Sequence, residues 1–447
     1  MPSIIQDTTI TMKAVTEILA KINSNRFTVG IVGLGYVGLP LAVSFAGKKV
    51  KTVGFEKSAS KASKVNNKIN YIGDVADHEL IEVVEAGFLE ATTDFTRLKE
   101  CDAILICVPT PLDQFKKPEM GYIESACTEI GQQMKLGTFI CLESTTYPTT
   151  TEDFMLPILE KESGLKQGTD FWLAFSPERV DPGNKQFGTR NTPKVLGAMS
   201  EDGLEIGKAI YAYAIDTIYP VSSPKVAEMV KILENTYRLI NISLINEMAL
   251  LCGKMDIDIW EVIEAAKTKP YGFQAFYPGP GIGGHCIPLD PFYLEHIAKK
   301  FNFDLSMIHT AGHIDMMMPH RMTLKIASAL NRHQKSINGS KILFLGVAYK
   351  PDIADERESP ALKIMDEVAH KGAIVHYHDP YVLDIETIRG RRYNSSELTV
   401  ELIKASDCVV ITTNHSVFNI DWIVENAILI VDLRNAIKKR SDKIYKL

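Results

Sequence analysis

The chain has 447 residues, of which 45% are hydrophobic, and a formal net charge of −6 at pH 7. This length allows about three domains with substantial cores, and the acidic balance argues against nonspecific nucleic-acid binding. No apolar run is long enough to span a membrane, the N-terminus lacks the order of a secretion signal, and the 7 cysteines form no CxxC pair. We therefore expect a cytoplasmic protein with free thiols and no metal site.

The first predicted strand, FTVGIV over 27–32, leads into a glycine turn, GLGYVG over 33–38, and then an apolar helical run over 39–47. This G-x-G-x-x-G pattern is typical of dinucleotide-binding proteins. Its glycines permit a tight turn, the approach of a pyrophosphate and close packing of helix on strand, and the helix N-terminus offers N–H groups to phosphates. Alone the pattern is weak, because glycine turns also serve structural purposes. The predicted cofactor contacts here are Gly33, Gly35, Tyr36, Val37 and Gly38.

An acidic residue follows the next predicted strand, over 51–55. Glu56 lies about 20 residues beyond the glycines, where a carboxylate can accept hydrogen bonds from both ribose hydroxyls and repels a 2′-phosphate. The pattern therefore predicts NAD rather than NADP. The alternative is a solvated glutamate at a strand end.

Apolar runs at 103–108, 139–142 and 172–175 continue the alternation of strands and helices. This rhythm predicts a doubly wound, parallel sheet, whose ligands bind beyond the carboxyl ends of the strands. Proline, serine and threonine are also common where strands end for purely structural reasons, and for any single turn this is the better explanation. Taken together, the turns supply further candidate site residues: Thr110, Glu143, Thr145, Glu178 and Arg179.

From about residue 200 to 318 the strand rhythm disappears, and 226–252 is a long, apolar-striped helical segment. Lys231 and Asn235 are four residues apart, hence on one face of this helix. Lys231 is either a solvated lysine or a partly buried ammonium that, with Asn235, holds an oxyanion or a water. The helix is also long enough to support dimerisation.

A second sheet is predicted from the runs at 341–345, 373–376, 408–411 and 428–431, with a helix over 361–371. It lacks G-x-G-x-x-G, so we do not expect it to bind a dinucleotide. The basic residues of its strand-end loops are candidates for binding a substrate diphosphate, although each alone is also explained as a surface residue. These candidates are Lys350, Arg357 and Arg434.

The predicted fold class is therefore α/β, with two Rossmann-like doubly wound domains joined by a helical middle domain that contains a long connecting helix. The predicted boundaries are 1–26 for an N-terminal extension, 27–205 for the NAD-binding domain, 206–318 for the middle domain and 319–447 for the second Rossmann-like domain.

A glycine-dense segment, GPGIGGHCIPLD over 279–290, places Cys286 four residues before Asp290. A thiol beside a base can act as a nucleophile, although a lone cysteine is more often a small buried residue. We include Gly283 and His285 of this segment among the candidate substrate contacts.

Several blocks, in order, resemble the UDP-glucose/GDP-mannose dehydrogenase family over nearly the whole chain. They are GLGYVGLP (33–40), VPTPL (108–112), ESTTYP (143–148), FSPERVDPGN (175–184), KILENTYR (231–238), PGPGIGGHCIPLDP (278–291) and GVAYKPDIADERESPAL (346–362). The resemblance implies oxidation of a sugar C6 alcohol to a carboxylate by two NAD⁺ and one water. It implies that Cys286 attacks the C6 aldehyde to give a thiohemiacetal, which becomes a thioester.

Other roles follow from the same resemblance. Lys231 is similar to the lysine that stabilises the oxyanion, Asn235 to its neighbouring asparagine and Asp290 to a residue that holds water or takes a proton. Thr145 is similar to the hydroxyl partner of that residue, and Glu178 to a candidate base for thioester hydrolysis. Lys350 and Arg434 match basic positions that the family places near the substrate, where one of the two can be contributed across a dimer interface. The resemblance also implies that 319–447 is the UDP-sugar-binding domain.

Two departures affect these expectations. Pro182 stands where UDP-glucose dehydrogenases carry a second glutamate, so water activation is expected to differ. His285 and the IPLDP continuation resemble the branch that acts on N-acetylated UDP-hexosamines, where His285 either tunes the thiolate or contacts the sugar. The segment 311–320 is less typical of the family.

The expected activity is that of a UDP-N-acetylglucosamine 6-dehydrogenase in surface-polysaccharide precursor synthesis, assembled as a homodimer or higher homo-oligomer. UDP-N-acetylgalactosamine, UDP-N-acetylmannosamine and UDP-glucose are alternative substrates. A non-catalytic nucleotide-sugar binder and a one-step dehydrogenase of the 3-hydroxyacid type are the alternatives of other classes. The first would not need Cys286, Lys231 and Asp290 together, and the second would leave Cys286 and the second sheet unused.

Overall fold

The computed structural model describes residues 2–111, 118–181, 183–184, 186–284 and 287–447. It divides into two compact units, Met1–Glu234 with Phe292–Asn302 and Asn235–Pro291 with Phe303–Leu447. Parallel sheets lie in the N- and C-terminal regions and a helical region lies between them in sequence, which confirms the predicted fold class.

The strands are short and mostly buried. They are β1 Thr28–Val32, β2 Lys51–Phe55, β3 Leu89–Thr92, β4 Ala103–Ile106, β5 Thr138–Leu142, β6 Phe171–Phe175, β7 Lys194–Ala198, β8 Ile218–Val221, β9 Lys341–Leu345, β10 Ile374–His378, β11 Asp384–Glu386, β12 Arg392–Asn394, β13 Cys408–Ile411, β14 Ile430–Asp432 and β15 Ile444–Lys446.

The helices range in length from 6 residues in α13 to 31 in α8. They are α1 Pro2–Asn23, α2 Gly38–Ala46, α3 Ala59–Asn66, α4 Asp77–Glu85, α5 Gly121–Gln133, α6 Leu156–Ser163, α7 Glu201–Tyr211, α8 Pro224–Lys254, α9 Ile259–Ala266, α10 Asp290–Ala298, α11 Ser306–Arg332, α12 Pro360–His370, α13 Val400–Ala405 and α14 Ile420–Asn426.

Within the described part of the first unit, eight strands form one sheet in the order β3-β2-β1-β4-β5-β6-β7-β8. Neighbouring strands from β3 to β6 are parallel, and β6 and β7 are antiparallel. Because β1 lies between β2 and β4, the strand order reverses there. The carboxyl ends of β1 and β4 therefore border the crevice where doubly wound proteins bind ligands.

Apolar side chains cover both faces of this sheet. One buried cluster joins it to α2 and α7 through residues such as Phe45 and Tyr211, and another joins it to α5 and α6 through Ile123 and Leu159. Each such side chain, when fully buried, stabilises the fold by about 1.5–3 kcal/mol. This packing makes the strand ends a rigid support for the loops that follow them.

The first unit contains elements that the sequence reading lacked. Strand β8 corrects the prediction that strands disappear after about residue 200, and β3 and β7 were also missed. Strand β8 contains Pro220 and is largely exposed at the edge of the sheet, so it lacks the apolar pattern of a central strand. The predicted N-terminal extension forms α1, which packs on α7 with Ile18 and Ile22 buried.

The second unit contains a five-stranded sheet among its described residues, in the order β10-β9-β13-β14-β15, with parallel pairing throughout. Strands β9 and β13 match the predicted ranges, whereas β15 and the hairpin of β11 and β12 were not predicted. Helix α12 begins at Pro360, after the N-cap Ser359, as its sequence indicates.

Two long helices belong to the middle of the chain. Helix α8 has 31 residues and contains the predicted segment 226–252, and α11 runs through the less typical segment 311–320. The predicted domain boundaries after residues 205 and 318 fall inside α7 and α11, and the four-part division stays a prediction. No helix in the described ranges is both long and apolar enough to cross a bilayer.

Candidate functional site

The glycine turn after β1 leaves one side open. Gly33 has φ +95°, and a Cβ there would lie 2.7 Å from the carbonyl oxygen of Cys107, so only glycine fits. A Cβ on Gly38 would overlap the Gly33 oxygen, because α2 is in direct contact with the turn. A Cβ on Gly35, by contrast, would have no described atom within 4 Å. This opening fits a pyrophosphate.

The N-terminus of α2 is a second feature that suits a phosphate. Val37 is its N-cap residue and forms no side-chain cap among the described residues. The Leu39 N–H donates to the Gly35 oxygen at 3.1 Å and Pro40 has no N–H, so the Gly38 N–H is the first-turn donor without a partner among the described residues and is available to a phosphate. Tyr36 is 47% exposed beside it. The turn and this helix end could therefore hold the diphosphate of a dinucleotide.

Glu56 braces the same turn. Its half-buried carboxylate accepts hydrogen bonds from the backbone N–H of Leu34 at 3.1 Å and of Ser58 at 3.0 Å. Tyr71, which the sequence reading missed, donates its hydroxyl to the Leu34 oxygen at 2.8 Å. Burial and the nearby Glu56 raise the pKa of Tyr71 to about 12, so it stays a donor at neutral pH. The position of Glu56 suits a ribose-binding carboxylate.

A serine side chain joins the turn after β5 to the main chain of the turn after β4. Ser144 donates its hydroxyl to the Val108 oxygen at 2.7 Å, and the oxygen of buried Thr110 accepts a hydrogen bond from Tyr293. Thr145 is half-buried, and its hydroxyl has no hydrogen-bond partner among the described residues. It is thus available to a ligand.

Glu143 is placed differently from its predicted cofactor role. Its carboxylate is fully buried, 2.5 Å from the ammonium of Lys194 and hydrogen-bonded to the Tyr211 hydroxyl. Burial raises the pKa of Glu143, and Lys194 opposes that shift. A side chain so enclosed and satisfied is not open to a ligand, so any cofactor contact of Glu143 is limited to its main chain.

Glu178 and Lys231 come together in the first unit. The Glu178 Oε1 atom accepts hydrogen bonds from the backbone N–H groups of Arg179 at 2.8 Å and Val180 at 2.7 Å. Its Oε2 atom has no partner among the described residues. The Lys231 ammonium, only 8% exposed, donates to the Glu178 carbonyl oxygen at 2.6 Å. A carboxylate with a free oxygen and a desolvated ammonium therefore lie at the end of β6.

The guanidinium of Arg179 is directed to protein groups. It forms a 2.6 Å ion pair with Glu234 and donates to the Pro193 oxygen at 2.7 Å. A direct contact with a substrate would have to compete with these bonds. Its clearest role is to attach the loop after β6 to α8.

In the second unit, Asn235 and Asp290 form a buried pair. The Asn235 amide donates to an Asp290 carboxylate oxygen at 2.5 Å, and the two residues are 3% and 2% exposed. Asn235 lies on α8, and Asp290 begins α10. Asp290 is also the last residue of the glycine-dense segment that contains the predicted nucleophile.

The glycine-dense segment packs on the loops of the second sheet. A Cβ on Gly283 would lie 2.6 Å from the Cβ of Tyr349, and the Gly284 N–H donates to the Arg357 carbonyl oxygen at 3.0 Å. Farther upstream, a Cβ on Gly279 would lie 2.5 Å from a guanidinium nitrogen of Arg434. Glycine is required at 283, where the backbone passes close to the Tyr349 Cβ, whereas a side chain at 279 would displace the Arg434 guanidinium.

The three basic candidates differ in their surroundings. Arg434 donates its Nε to the Thr412 oxygen at 2.8 Å, and burial lowers its pKa to about 10. The exposed Arg357 forms a bidentate ion pair with Asp355, its shortest N–O distance being 2.6 Å, so a phosphate would compete with that pair. Lys350 is half-buried in the same loop as Tyr349.

The predicted nucleophile Cys286 and its neighbour His285 lie outside the described residues, as does Pro182. The other cysteines are free thiols, buried except for the half-buried Cys252. Burial raises the pKa of Cys101 to about 12, which suppresses the reactive thiolate.

Two buried carboxylates that organise these loops were not predicted. Glu228 on α8 accepts hydrogen bonds from the segment after β5, and Asp379 after β10 accepts them from the turn after β9. Glu228 could have been suspected because it stands three residues before Lys231 on the same helix face. Asp379 directly follows the second strand of its sheet, as Glu56 does in the first sheet. This correspondence becomes visible only when the two sheets are compared.

The fold and these loops define an α/β dinucleotide-binding protein with a second Rossmann-like domain. The chain belongs to the UDP-glucose/GDP-mannose dehydrogenase family. Profiles of this family match its NAD binding domain at residues 27–215, its central domain at 225–316 and its UDP binding domain at 343–439. The protein is thus an NAD-dependent nucleotide-sugar dehydrogenase.

Relatives support this placement along most of the chain. The UDP-N-acetyl-D-glucosamine 6-dehydrogenase of Pseudomonas aeruginosa is 34% identical over 391 residues, covering 87% of this chain and 91% of that protein. The UDP-N-acetyl-D-mannosamine dehydrogenase of Pyrococcus horikoshii is 34% identical over 417 residues, covering 92% and 96%. A solved structure of UDP-D-ManNAc dehydrogenase from Pyrococcus horikoshii superimposes with a TM-score of 0.86 at 32% identity, covering 94% of this chain and 98% of that one.

Proposed function

We propose that this protein oxidises C6 of a UDP-N-acetylhexosamine to a carboxylate in two NAD⁺-dependent stages, with UDP-N-acetylglucosamine as the first candidate substrate. The observation that carries the proposal is the segment around Cys286. Its His285 and IPLDP continuation resemble the branch that acts on N-acetylated sugars, and both relatives described above are named for such sugars. UDP-N-acetylmannosamine is the second candidate because one of those relatives is named for it.

The glycine turn and Glu56 would hold NAD⁺, the turn through its open side at Gly35 and Glu56 through the ribose hydroxyls. When bound, NAD⁺ accepts one hydride in each oxidation stage. The Thr145 hydroxyl on the loop after β5 has no partner among the described residues and can orient a reactant. The first stage converts the C6 alcohol to an aldehyde with release of one proton.

Cys286 then supplies the nucleophile. Its thiolate forms a C–S bond to the aldehyde carbon, and the carbonyl oxygen takes a proton, which gives a thiohemiacetal. Loss of hydride and that proton leaves a thioester. An ordinary cysteine with a pKa of about 8.5 is only slightly ionised at neutral pH, so neighbouring groups must favour the thiolate.

Lys231 and the Asn235–Asp290 pair supply polar groups for these stages. The Lys231 ammonium uses one donor on the Glu178 carbonyl and has no other partner among the described residues, so it can stabilise negative charge on the reacting oxygen. The Asn235 amide fixes the orientation of the Asp290 carboxylate, which we assign to holding water or accepting a proton.

We assign thioester hydrolysis to Glu178. Two backbone N–H groups hold its Oε1 atom, which directs the free Oε2 atom to take a proton from water. Water oxygen bonds to the acyl carbon as the C–S bond breaks, which regenerates the thiol and releases the carboxylate. Per sugar, the balance is one alcohol, one water and two NAD⁺ giving one carboxylate, two NADH and three protons.

Arg434 and Lys350 are the proposed diphosphate ligands of the sugar nucleotide. Arg434 is half-buried and has no carboxylate partner among the described residues, so a phosphate would supply the missing negative charge. Gly283 of the glycine-dense segment lies against the same loops.

We further propose that α8 mediates homodimerisation. Along its 31 residues, exposed apolar side chains recur at intervals of three, four and seven, which places them on one side of the helix. They are Val226, Met229, Leu233, Tyr237, Leu244 and Leu251. Analytical ultracentrifugation should show an assembly for the wild type and a shift toward monomer for Leu233→Glu; a wild-type monomer would contradict this proposal.

The substrate experiment measures NADH formed per sugar consumed. Purified protein and NAD⁺ are combined separately with UDP-GlcNAc, UDP-ManNAc, UDP-GalNAc and UDP-glucose, and each product is checked by mass. We expect two NADH per sugar and a clear preference for UDP-GlcNAc. Preference for UDP-ManNAc would move the assignment to the second candidate, one NADH would refute the thioester route, and binding without NADH would indicate a non-catalytic protein.

A further inference from the structure

One carboxylate of α8 holds the segment after β5 through three hydrogen bonds. Glu228 is fully buried and accepts from the Thr149 N–H at 2.6 Å, the Thr151 N–H at 2.9 Å and the Thr151 hydroxyl at 2.7 Å. All of these residues lie in the first unit. None of the three donors belongs to the same helix as Glu228, so the contacts join two separate elements.

The held segment has an unfavourable backbone conformation. Thr149 has φ +81°, in the left-handed region that β-branched residues rarely occupy. Such a conformation persists only where the surroundings impose it. The bond from the Thr149 N–H to Glu228 acts at this residue, and the bonds from Thr151 act two residues later.

This conformation sets what the segment presents to a ligand. Thr146 and Thr150 join their hydroxyls at 2.8 Å, and both are buried. Thr145 is half-buried between Ser144 and Thr146, which are both buried, and its hydroxyl has no partner among the described residues. Fixing 149–151 therefore fixes the turn that leaves Thr145 accessible.

Helix α8 also contacts the next loop of the sheet. Lys231 lies three residues after Glu228, on the same helix face, and its ammonium donates to the Glu178 carbonyl at 2.6 Å. One face of α8 thus holds the loop after β5 through Glu228 and the loop after β6 through Lys231. The spacing of these two residues on a rigid helix links Thr145 to Glu178.

We propose that Glu228 is a positioning residue, which sets Thr145 relative to Lys231 and Glu178 by fixing the segment 149–151 on α8. The inference rests on the proposed function for the roles of Thr145, Lys231 and Glu178. Glu228 itself contacts neither substrate nor cofactor; its effect on the reaction passes through the loop.

The test compares two matched pairs of variants. Glu228→Gln retains the size of the side chain but presents an amide to N–H donors, and Thr151→Val removes one donor without changing shape. The controls are Asp366→Asn and Thr387→Val in the second unit. There a buried carboxylate accepts a hydroxyl hydrogen bond from Thr387 at 2.6 Å and one from the Arg389 N–H at 3.2 Å.

For Glu228→Gln and Thr151→Val we expect kcat, measured with the sugar nucleotide that the wild type oxidises, to fall on the order of 10- to 100-fold. The Kd values for NAD⁺ and the UDP-sugar should change less than about threefold, because the glycine turn proposed for NAD⁺ and the residues Arg434 and Lys350 proposed for the UDP-sugar are untouched. Amide exchange of segment 144–151 should accelerate. The control variants should leave kcat and this exchange close to the wild type.

An unchanged kcat in folded Glu228→Gln, or an equal fall in the controls at similar melting temperature, would overturn the proposal. If Glu228→Gln does not fold, Thr151→Val decides the matter by the same criteria. If the wild type oxidises no sugar nucleotide, the proposed function fails. The exchange measurement then still tests whether Glu228 holds the segment, and unaltered exchange would refute even that.

Discussion

Both sheets use a carboxylate after their second strand to hold the turn after their first. In the first unit, Glu56 follows β2 and binds the Leu34 N–H in the turn after β1. In the second unit, Asp379 follows β10 and binds the N–H groups of Val347 and Ala348 in the turn after β9, at 2.7 and 3.0 Å. In each sheet the two strands concerned are parallel neighbours.

The surroundings of the two carboxylates differ. Asp379 is completely buried and accepts further hydrogen bonds from the N–H groups of Tyr381 and Val382 and from His415. Glu56 is half-buried and accepts only one further bond, from Ser58, among the described residues. A ribose can therefore reach Glu56, whereas protein groups already satisfy Asp379.

The helices after these turns differ as well. Helix α2 begins at Gly38, directly after the first glycine turn, while α12 begins at Pro360, long after Gly346. A phosphate at the second turn would thus lack the helix N-terminus that the first turn offers. A carboxylate at the same place in the two sheets therefore differs in what it can bind: Glu56 is open to a ligand, whereas Asp379 is occupied by hydrogen bonds within the fold.

The largest expected effect comes from Cys286→Ala, which should abolish the reaction without weakening the binding of NAD⁺ or of the UDP-sugar. Cys286→Ala should abolish acid formation because no thioester can form, while NAD⁺ and UDP-sugar affinities, measured by calorimetry, stay near the wild type. Cys252→Ala, at a half-buried thiol of α8, is the matched control and should retain activity. Normal acid production by Cys286→Ala would remove this residue from the mechanism.

The next effect concerns Asp379. Asp379→Asn should lower the free energy of unfolding of the second unit by about 3 kcal/mol, because the amide cannot accept all the buried N–H groups. Denaturant unfolding followed by amide exchange of 341–348 would measure it. If this variant is as stable as the wild type, Asp379 does not stabilise the second unit in the way proposed.

A substitution of Glu56 should mainly affect ligand binding, whereas the substitution of Asp379 should mainly affect stability. Glu56→Ala should weaken NAD⁺ binding by about tenfold or more, since a hydrogen bond to a charged acceptor contributes about 1.5–3 kcal/mol. UDP-sugar affinity should change little, and the melting temperature should fall less than in Asp379→Asn, because Glu56 is half-buried and accepts fewer hydrogen bonds than Asp379. Unchanged NAD⁺ affinity would mean that Glu56 only holds the glycine turn and does not bind the ribose.

The smallest effect is a pH dependence. Burial alone would raise the pKa of Asp379, but hydrogen bonds from His415 and the backbone outweigh it and hold the pKa below its ordinary value of 3.8. A lowered folded-state pKa adds stability that is present above 3.8 and lost as the pH falls through the folded-state value. Unfolding free energies should fall more between about pH 5 and pH 2 for the wild type than for Asp379→Asn. Parallel curves would contradict this assignment.

Local pattern determined much of this protein in advance. The glycine turn at 33–38, the strands β2, β9 and β13, and the N-terminus of α12 were readable from the sequence because turn geometry, strand burial and helix capping depend on neighbouring residues. The order of the motif blocks likewise identified the family. Edge strand β8 escaped because an exposed strand with a proline lacks that local signal.

Tertiary structure decided which polar groups face ligands and which serve the fold. Glu143 was a candidate from its place in a strand-end turn, yet Lys194 and Tyr211, 51 and 68 residues away, enclose its carboxylate. Glu228 had no predicted role, yet it binds residues 77 and 79 positions earlier in the chain. Burial and hydrogen bonding of a carboxylate depend on such distant contacts, so residue type and spacing alone do not distinguish Glu56 from Asp379.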